Sequence, residues 1–396
     1  MNKENWPFNE VINRYNTQSI KWDSYDKDLL PLWVADMDFR VPEPIISAII
    51  NRAKHGIFGY SYFYSAYYNA VLGWFKRRYN WEIKKEWLSF TPGVIPAINI
   101  ALQAYTNPGD KIIVQDPVYY PFFGAIKNSG RKILSNPLIF SNKQYKMDYG
   151  DLKKKIKDPR TKLLILCSPH NPVGRVWTKD ELIQLGEICL ENDILVLSDE
   201  IHCDLILSDY NHTNYATICE DFALNSITCT SLSKTFNLAG LQLSNIIIPN
   251  QNLKKSFNNT IESLFLPEEY GYLPNTLSLV AFTAAHEECD AWLNSLIQYL
   301  HENLEFLKTF ISEKIPQIEV IEPEGTYLVW LNFRKSGLTY NQIENFLNEK
   351  AKVVLVDGLK FGKGGEGFQR INIACPRSIL EKALKRIQKA IEELNT

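Results

Sequence analysis

The apolar pattern divides the chain into two differently organised stretches. Between about residue 110 and residue 250, short apolar runs alternate with helix-period segments. Lys111-Ile112-Ile113-Val114 predicts a strand ending at Gln115-Asp116-Pro117, and Lys162-Leu163-Leu164-Ile165-Leu166-Cys167 predicts a second ending at Ser168-Pro169. Ile194-Leu195-Val196-Leu197-Ser198 predicts a third, ending at Asp199. Ser226 to Thr230 predicts a fourth, followed by a loop carrying Lys234, and Leu243 to Ile248 a fifth. Thr178 to Asn192 reads as an amphipathic helix, with Thr178 as N-cap and Glu181 three residues on completing a capping box. Continuous apolar runs separated by helices predict an α/β fold whose sheet is mostly parallel, doubly wound and covered on both faces.

After residue 286 the pattern changes. Trp292, Leu296, Leu300, Leu304 and Leu307 predict a long helix over Ala291 to Ile315. Tyr327-Leu328-Val329-Trp330-Leu331 has the pattern of a half-buried strand, and a terminal helix follows from about Ser378 to Leu394. These elements predict a smaller α+β domain. The segment before residue 50, with Pro42 and Pro44, is expected to join it. The expected division is a large domain over 50–286 and a discontinuous small domain made of 1–49 and 287–396.

Composition narrows the function classes. The 396 residues, 45% of them hydrophobic, suffice for two cores, and a net charge of −2 gives no basis for binding nucleic acid or an anionic membrane. No apolar run approaches the roughly 20 residues of a membrane helix. Met1-Asn2-Lys3-Glu4-Asn5 is polar and lacks a signal core. The seven cysteines are scattered, with no Cys-x-x-Cys pair, which predicts a reduced, cytoplasmic protein in which the Asn211-His212-Thr213 sequon is idle. Aromatics are dense from Phe58 to Tyr68, as in a ring-binding cleft, a subunit interface or an ordinary core.

Candidate chemistry gathers at the strand ends, where open α/β sheets bind ligands. Tyr119 follows the first strand, Asn171 the second, Asp199 the third, and Ser231 to Lys234 the fourth. Singly, such residues are solvated charges, caps or turn formers. Their common order along one sheet edge is what that reading leaves unexplained. Pyridoxal phosphate needs this set. Lys234 supplies an amine for a Schiff base, Asp199 a carboxylate that keeps the ring nitrogen protonated, Asn171 a donor to the phenolic oxygen, and Tyr119 a stacking face. Gly93-Val94-Ile95, ahead of the helical pattern Ala97 to Ala104, and the Ser231 and Ser233 hydroxyls offer donors to the phosphate.

Ser168-Pro169-His170-Asn171-Pro172-Val173-Gly174, Asp199-Glu200-Ile201-His202 and Ser231-Leu232-Ser233-Lys234 resemble the fold type I pyridoxal phosphate enzymes of the aminotransferase superfamily. That fold has a large domain with a mostly parallel seven-stranded sheet between helices, plus a smaller α+β domain. Trp33-Val34-Ala35-Asp36-Met37-Asp38-Phe39, Phe58-Gly59-Tyr60, His170 and Arg370-Ile371-Asn372-Ile373-Ala374-Cys375-Pro376-Arg377 resemble its branch of MalY/PatB-type cystathionine and cysteine-S-conjugate β-lyases. The resemblance spans essentially the whole chain. It implies that Lys234, Tyr119 and Asp199 are the reacting set. Arg370 would bind the substrate α-carboxylate, with Asn171 and Ala35 also touching substrate, and the Trp33–Phe39 strip would close over it. Tyr60 would reach the cofactor phosphate of a neighbouring subunit, so that a homodimer shares its active sites.

Two positions depart from the aminotransferase pattern. His202 replaces the usual tyrosine, which suits the lyase branch and places it at the cofactor. Gln242 replaces a phosphate-binding arginine and leaves only a candidate contact. The implied reaction is α,β-elimination of cystathionine or a related small amino-acid thioether to a thiol such as homocysteine, pyruvate and ammonia, with no metal. An aminotransferase would use the same residues, and a non-catalytic binding module on the same fold is the alternative from another class.

Overall fold

The computed structural model describes residues 6–207, 209–264 and 272–394. The polar Met1–Asn5 segment lies outside the described residues. No helix among the described residues is long and apolar enough to cross a membrane.

The central sheet contains β1 (Leu88–Thr91), β2 (Lys111–Val114), β3 (Lys132–Ser135), β4 (Thr161–Cys167), β5 (Leu195–Asp199), β6 (Ser226–Thr230) and β7 (Ser244–Ile247), in the order β1-β7-β6-β5-β4-β2-β3. Strand β7 is antiparallel to both of its neighbours, and every other ladder is parallel. The middle strands are apolar at successive positions because both faces are covered. Leu163 and Ile165 pack with α1 (Val94–Tyr105) on one face, while Leu164 and Leu166 pack with α2 (Lys179–Leu190) on the other. Both bonds of the expected capping box form at α2, Glu181 N–H to Thr178 Oγ1 at 3.2 Å and Thr178 N–H to Glu181 Oε2 at 2.9 Å. The lysine loop is in fact a single helical turn, α3 (Leu232–Thr235), too short for periodicity to reveal.

A second sheet is antiparallel throughout: β8 (Glu319–Ile321), β9 (Leu328–Asn332), β10 (Val356–Asp357) and β11 (Phe368–Asn372), in the order β8-β9-β11-β10. The expectation of a half-buried β9 is corrected, since all five of its residues are buried. Val329 and Leu331 belong to the cluster of the long helix α4 (Asp290–Lys314), whereas Trp330 packs with Phe361 and Phe368 in the cluster that also holds Leu164 and Val196. The sheet therefore lies between two cores rather than facing water. Leu30–Pro31 pairs with Val353–Val354 in parallel, which ties the N-terminal segment to the C-terminal part. The division expected after residue 49 falls inside the helix Glu43–Lys54, and the one at 286 inside the helix Thr276–Glu288.

A buried ion network anchors the N-terminal segment. Lys21 is fully buried, with its Nζ 2.7 Å from Asp38 Oδ2 and 2.9 Å from the Asp36 carbonyl. Asp38 Oδ1 also accepts from Arg14 at 2.7 Å and from the Trp22 indole at 2.8 Å. Removing one partner of such a pair strands the other charge out of water. Asp38→Ala is expected to cost about 3–5 kcal/mol of unfolding free energy, and Lys21→Met clearly less, in denaturant titrations. Equal, small losses would show that the pair is not structural.

Candidate active site

The carboxyl ends of β2, β4, β5 and β6 open onto one cavity of about 200 Å³. Ala35, Gly93, Val94, Ile95, Tyr119, Asn171, Asp199, His202, Ser231, Ser233, Lys234 and Gln242 all line it. Because β7 runs the other way, it brings its first residue, Ser244, to the same edge, a position the sequence reading missed. Register does much of this placement. Cys167 pairs with Asp199, and Asp199 with Cys229, so the Asn171 turn and the Lys234 turn flank the aspartate. Tyr60 stands outside the cavity and is 95% exposed, beside the exposed Phe58 and Tyr62.

Asp199 and Lys234 line the cavity, Arg370 is bonded to the lining residue Asn171, and each of the three is held by neutral partners. Asp199 is buried, and its Oδ1 accepts the Ile201 N–H at 3.1 Å. Burial pushes its carboxyl up to about 7, against the opposing pull of that hydrogen bond. Lys234 keeps some accessible surface, and its Nζ donates to the Ala35 carbonyl at 2.9 Å. Burial of the amine, reinforced by the Arg370 charge and opposed by Asp36 and Asp199, lowers its pKa to about 8. Arg370 is buried on β11 and donates through Nη1 to Asn171 Oδ1 and through Nη2 to the Trp33 carbonyl, both at 2.9 Å. Its guanidinium carbon lies 5.0 Å from the centre of the Phe361 ring. Burial brings its pKa down to about 10, which leaves it cationic at neutral pH. Since a guanidinium can only donate, Arg370 fixes the Asn171 oxygen towards itself and leaves Nδ2 for a ligand.

The two histidines differ in position. His202 lines the cavity, and burial, with the Lys234 and Arg370 charges, drives its pKa to about 3, so it is a neutral imidazole. His170 lies behind the cavity wall, bonded through Nε2 to the Pro117 carbonyl at 2.9 Å, where it supports the turn leading to Tyr119. Tyr119 is half-buried, and burial raises its phenol to about 12.

The N-terminal turn of α1 begins at Val94, three residues earlier than the sequence pattern suggested, because proline is tolerated in a first turn. Val94 and Ile95 thus present helix N-terminal N–H groups, while Pro96 offers none. The expectation for Ser231 changes. Its hydroxyl donates to the Leu243 carbonyl at 2.7 Å and accepts the Ser233 N–H at 3.1 Å, so it caps α3. The Ser233 and Ser244 hydroxyls have no such commitment among the described residues.

This donor set fits pyridoxal phosphate. Two cavity-lining residues carry buried polar atoms without a partner among the described residues, His202 Nδ1 and Ser244 Oγ, and Arg370, bonded to the lining Asn171, has a third at Nε. Each such atom costs about 1–3 kcal/mol unless a ligand or water satisfies it. A ring carrying an N–H would pair with Asp199, and a dianion would meet the α1 N-terminus with Ser233 and Ser244.

Comparison with known proteins agrees with this geometry. The family described as Aminotransferase class I and II matches residues 27–387. The cystathionine beta-lyase PatB of Bacillus subtilis (strain 168) is 42% identical over 389 residues, spanning 97% of this chain and 99% of that protein. Cystalysin from Treponema denticola, whose crystal structure contains a pyridoxal 5'-phosphate cofactor, has a TM-score of 0.94 at 39% identity over 98% of this chain and 99% of its own. A PLP-bound C–S lyase from Staphylococcus hominis has a TM-score of 0.91 at 36% identity, covering 98% of this chain and 99% of its own.

Burial sets a testable pH dependence. The folded-state pKa of Asp199 stands above its unfolded value, so the cofactor-free fold holds a proton that the unfolded chain has lost. The stability this provides is complete below about pH 4 and is lost as pH rises through about 7. In the cofactor-free protein, Asp199→Asn is expected to gain on wild type in melting temperature between about pH 4 and pH 7. A difference independent of pH would contradict an unpaired buried carboxylate.

Proposed function

The chain belongs to the class I and II aminotransferase family, and from that membership we propose that it is a pyridoxal phosphate-dependent carbon–sulfur β-lyase that cleaves cystathionine or a related cysteine S-conjugate to a thiol, pyruvate and ammonia. The observation that carries the reaction class is the Lys234 amine, lowered to about 8 and set in one cavity with Asp199 and Asn171, the latter bonded to Arg370. The near full-length likeness to a cystathionine beta-lyase, with histidine at position 202 where the aminotransferase pattern carries tyrosine, favours C–S cleavage over amino transfer.

When bound, pyridoxal phosphate supplies an aldehyde that takes the substrate amine and a protonated ring that accepts the electron pair left at Cα. The chain's own residues do the rest. Arg370 grips the α-carboxylate, for which its fork geometry is suited and a lysine's is not. Asp199 holds the ring nitrogen protonated by charge pairing, and its own raised proton affinity falls once that cation arrives. Lys234 is the base for the Cα proton; with a pKa of about 8, roughly a tenth of it is neutral at pH 7 without further help. Loss of the β-thiolate follows, and water completes the conversion of the three-carbon fragment to pyruvate and ammonia.

The exposed Phe58, Tyr60 and Tyr62 suit coverage by a second copy of the chain, with Tyr60 reaching the phosphate site of that copy. The proposed division of labour is that the large sheet holds the cofactor, while the segment around Trp33 and strand β11 hold the substrate carboxylate.

Incubation of the pure protein with cystathionine and pyridoxal phosphate, without keto acid, is expected to release pyruvate and free thiol in equal amounts. Amino transfer to a keto acid with no thiol release would establish the aminotransferase instead. Arg370→Lys is expected to raise KM for cystathionine about ten- to hundredfold, the worth of one charged hydrogen bond, with a smaller change in kcat. An unchanged KM would remove Arg370 from carboxylate binding.

A further inference from the structure

Five consecutive backbone carbonyls, from Trp33 to Met37, are each held by a side chain from elsewhere in the fold. Arg370 Nη2 takes that of Trp33 at 2.9 Å. The Asn372 amide takes those of Val34 and Asp36 at 2.7 and 2.8 Å, and Lys234 Nζ that of Ala35 at 2.9 Å. The Asn237 amide closes the series. Its Nδ2 donates to the Met37 carbonyl at 2.9 Å, and its Oδ1 accepts the Met37 N–H at 3.0 Å. Asn237 lies three residues beyond Lys234, at φ +58°, a left-handed conformation that asparagine tolerates better than most residues. It is tied back to α3, since the N–H groups of its neighbours Phe236 and Leu238 bond to the Leu232 and Ser233 carbonyls. The strap is thus clasped by the same short loop that carries the reacting lysine.

A neutral amine has two N–H bonds and one lone pair. Wherever one N–H is fixed, the directions open to the lone pair narrow, and a general base works only when that pair points at the proton to be removed. We propose that Asn237 is a positioning residue for Lys234: by locking Met37 to the lysine's own loop, it fixes the Ala35 carbonyl opposite Nζ, and that carbonyl orients the free amine. The inference rests on Lys234 being the catalytic amine. It assigns Asn237 no contact with substrate or cofactor.

Two variants of the holoenzyme test it. Asn237→Asp keeps size, left-handed tolerance and the acceptor for the Met37 N–H, but sets an acceptor against the Met37 carbonyl. Asn237→Gly removes the side chain without straining the backbone. Both are expected to lower kcat about ten- to hundredfold while KM stays within about threefold, because misaimed chemistry rather than carboxylate binding is lost. Amide hydrogen exchange of the 33–38 segment is expected to quicken in both, with cofactor content unchanged. The rate is read on whichever of thiol release or amino transfer the wild type performs, so failure of the C–S cleavage reading leaves this test standing. Wild-type kcat, a loss confined to KM, or unaltered exchange would each overturn the proposal. Should neither variant fold, the wild-type Met37 amide is decisive: protection comparable to β4 supports the latch, and exchange as fast as an exposed loop refutes it.

Discussion

Asp199 and Lys234 line a single cavity, Arg370 is bonded to its lining residue Asn171, and none of the three has an oppositely charged group within ion-pair distance among the described residues. Removing a charge from water costs several kcal/mol even after relaxation. Here the cost is moderated by dipoles: the Ile201 N–H, the Ala35 and Trp33 carbonyls and the Asn171 amide. The consequence appears in the proton affinities. The carboxyl is pushed up to about 7 and the amine down to about 8, so both sit near the pH at which they would work. A ligand that brings a cationic ring nitrogen and anionic oxygens supplies the counter-charges the fold withholds.

The contrast with the N-terminal segment is instructive. Lys21, Asp38 and Arg14 are paired at 2.7 Å, and around them the chain from Trp33 to Phe39 is pinned against β11 and the lysine loop. Charges are neutralised where the backbone must hold still and left open where a ligand arrives. The cavity accordingly depends on parts distant in sequence: four strand ends of the large sheet, the strap near residue 35, and Arg370 on the smaller sheet.

Much of this was legible in the sequence where the signal is local. The strands Lys111–Val114 and Ser226–Thr230 lie where their apolar runs place them, and the Thr178 capping box forms as its spacing implies. The strand-end set Tyr119, Asn171, Asp199 and Lys234 converges because parallel strands deliver their carboxyl ends to one edge. Other features escaped for identifiable reasons. An apolar run carries no strand direction, so antiparallel β7 and its Ser244 were invisible. The pattern of β9 could not disclose that both its faces are covered. The start of α1 was obscured by Gly93 and Pro96, which read as loop residues, and the clasp of Asn237 on Met37 joins positions two hundred residues apart.

Every proposed step depends on Lys234 as the amine that engages the cofactor. Borohydride reduction of the holoenzyme, followed by proteolysis and mass-spectrometric mapping of the pyridoxyl group, tests this directly. The label is expected on the peptide containing Ser231-Leu232-Ser233-Lys234 and on no other. A label on a different lysine, with Lys234 unmodified, would contradict it.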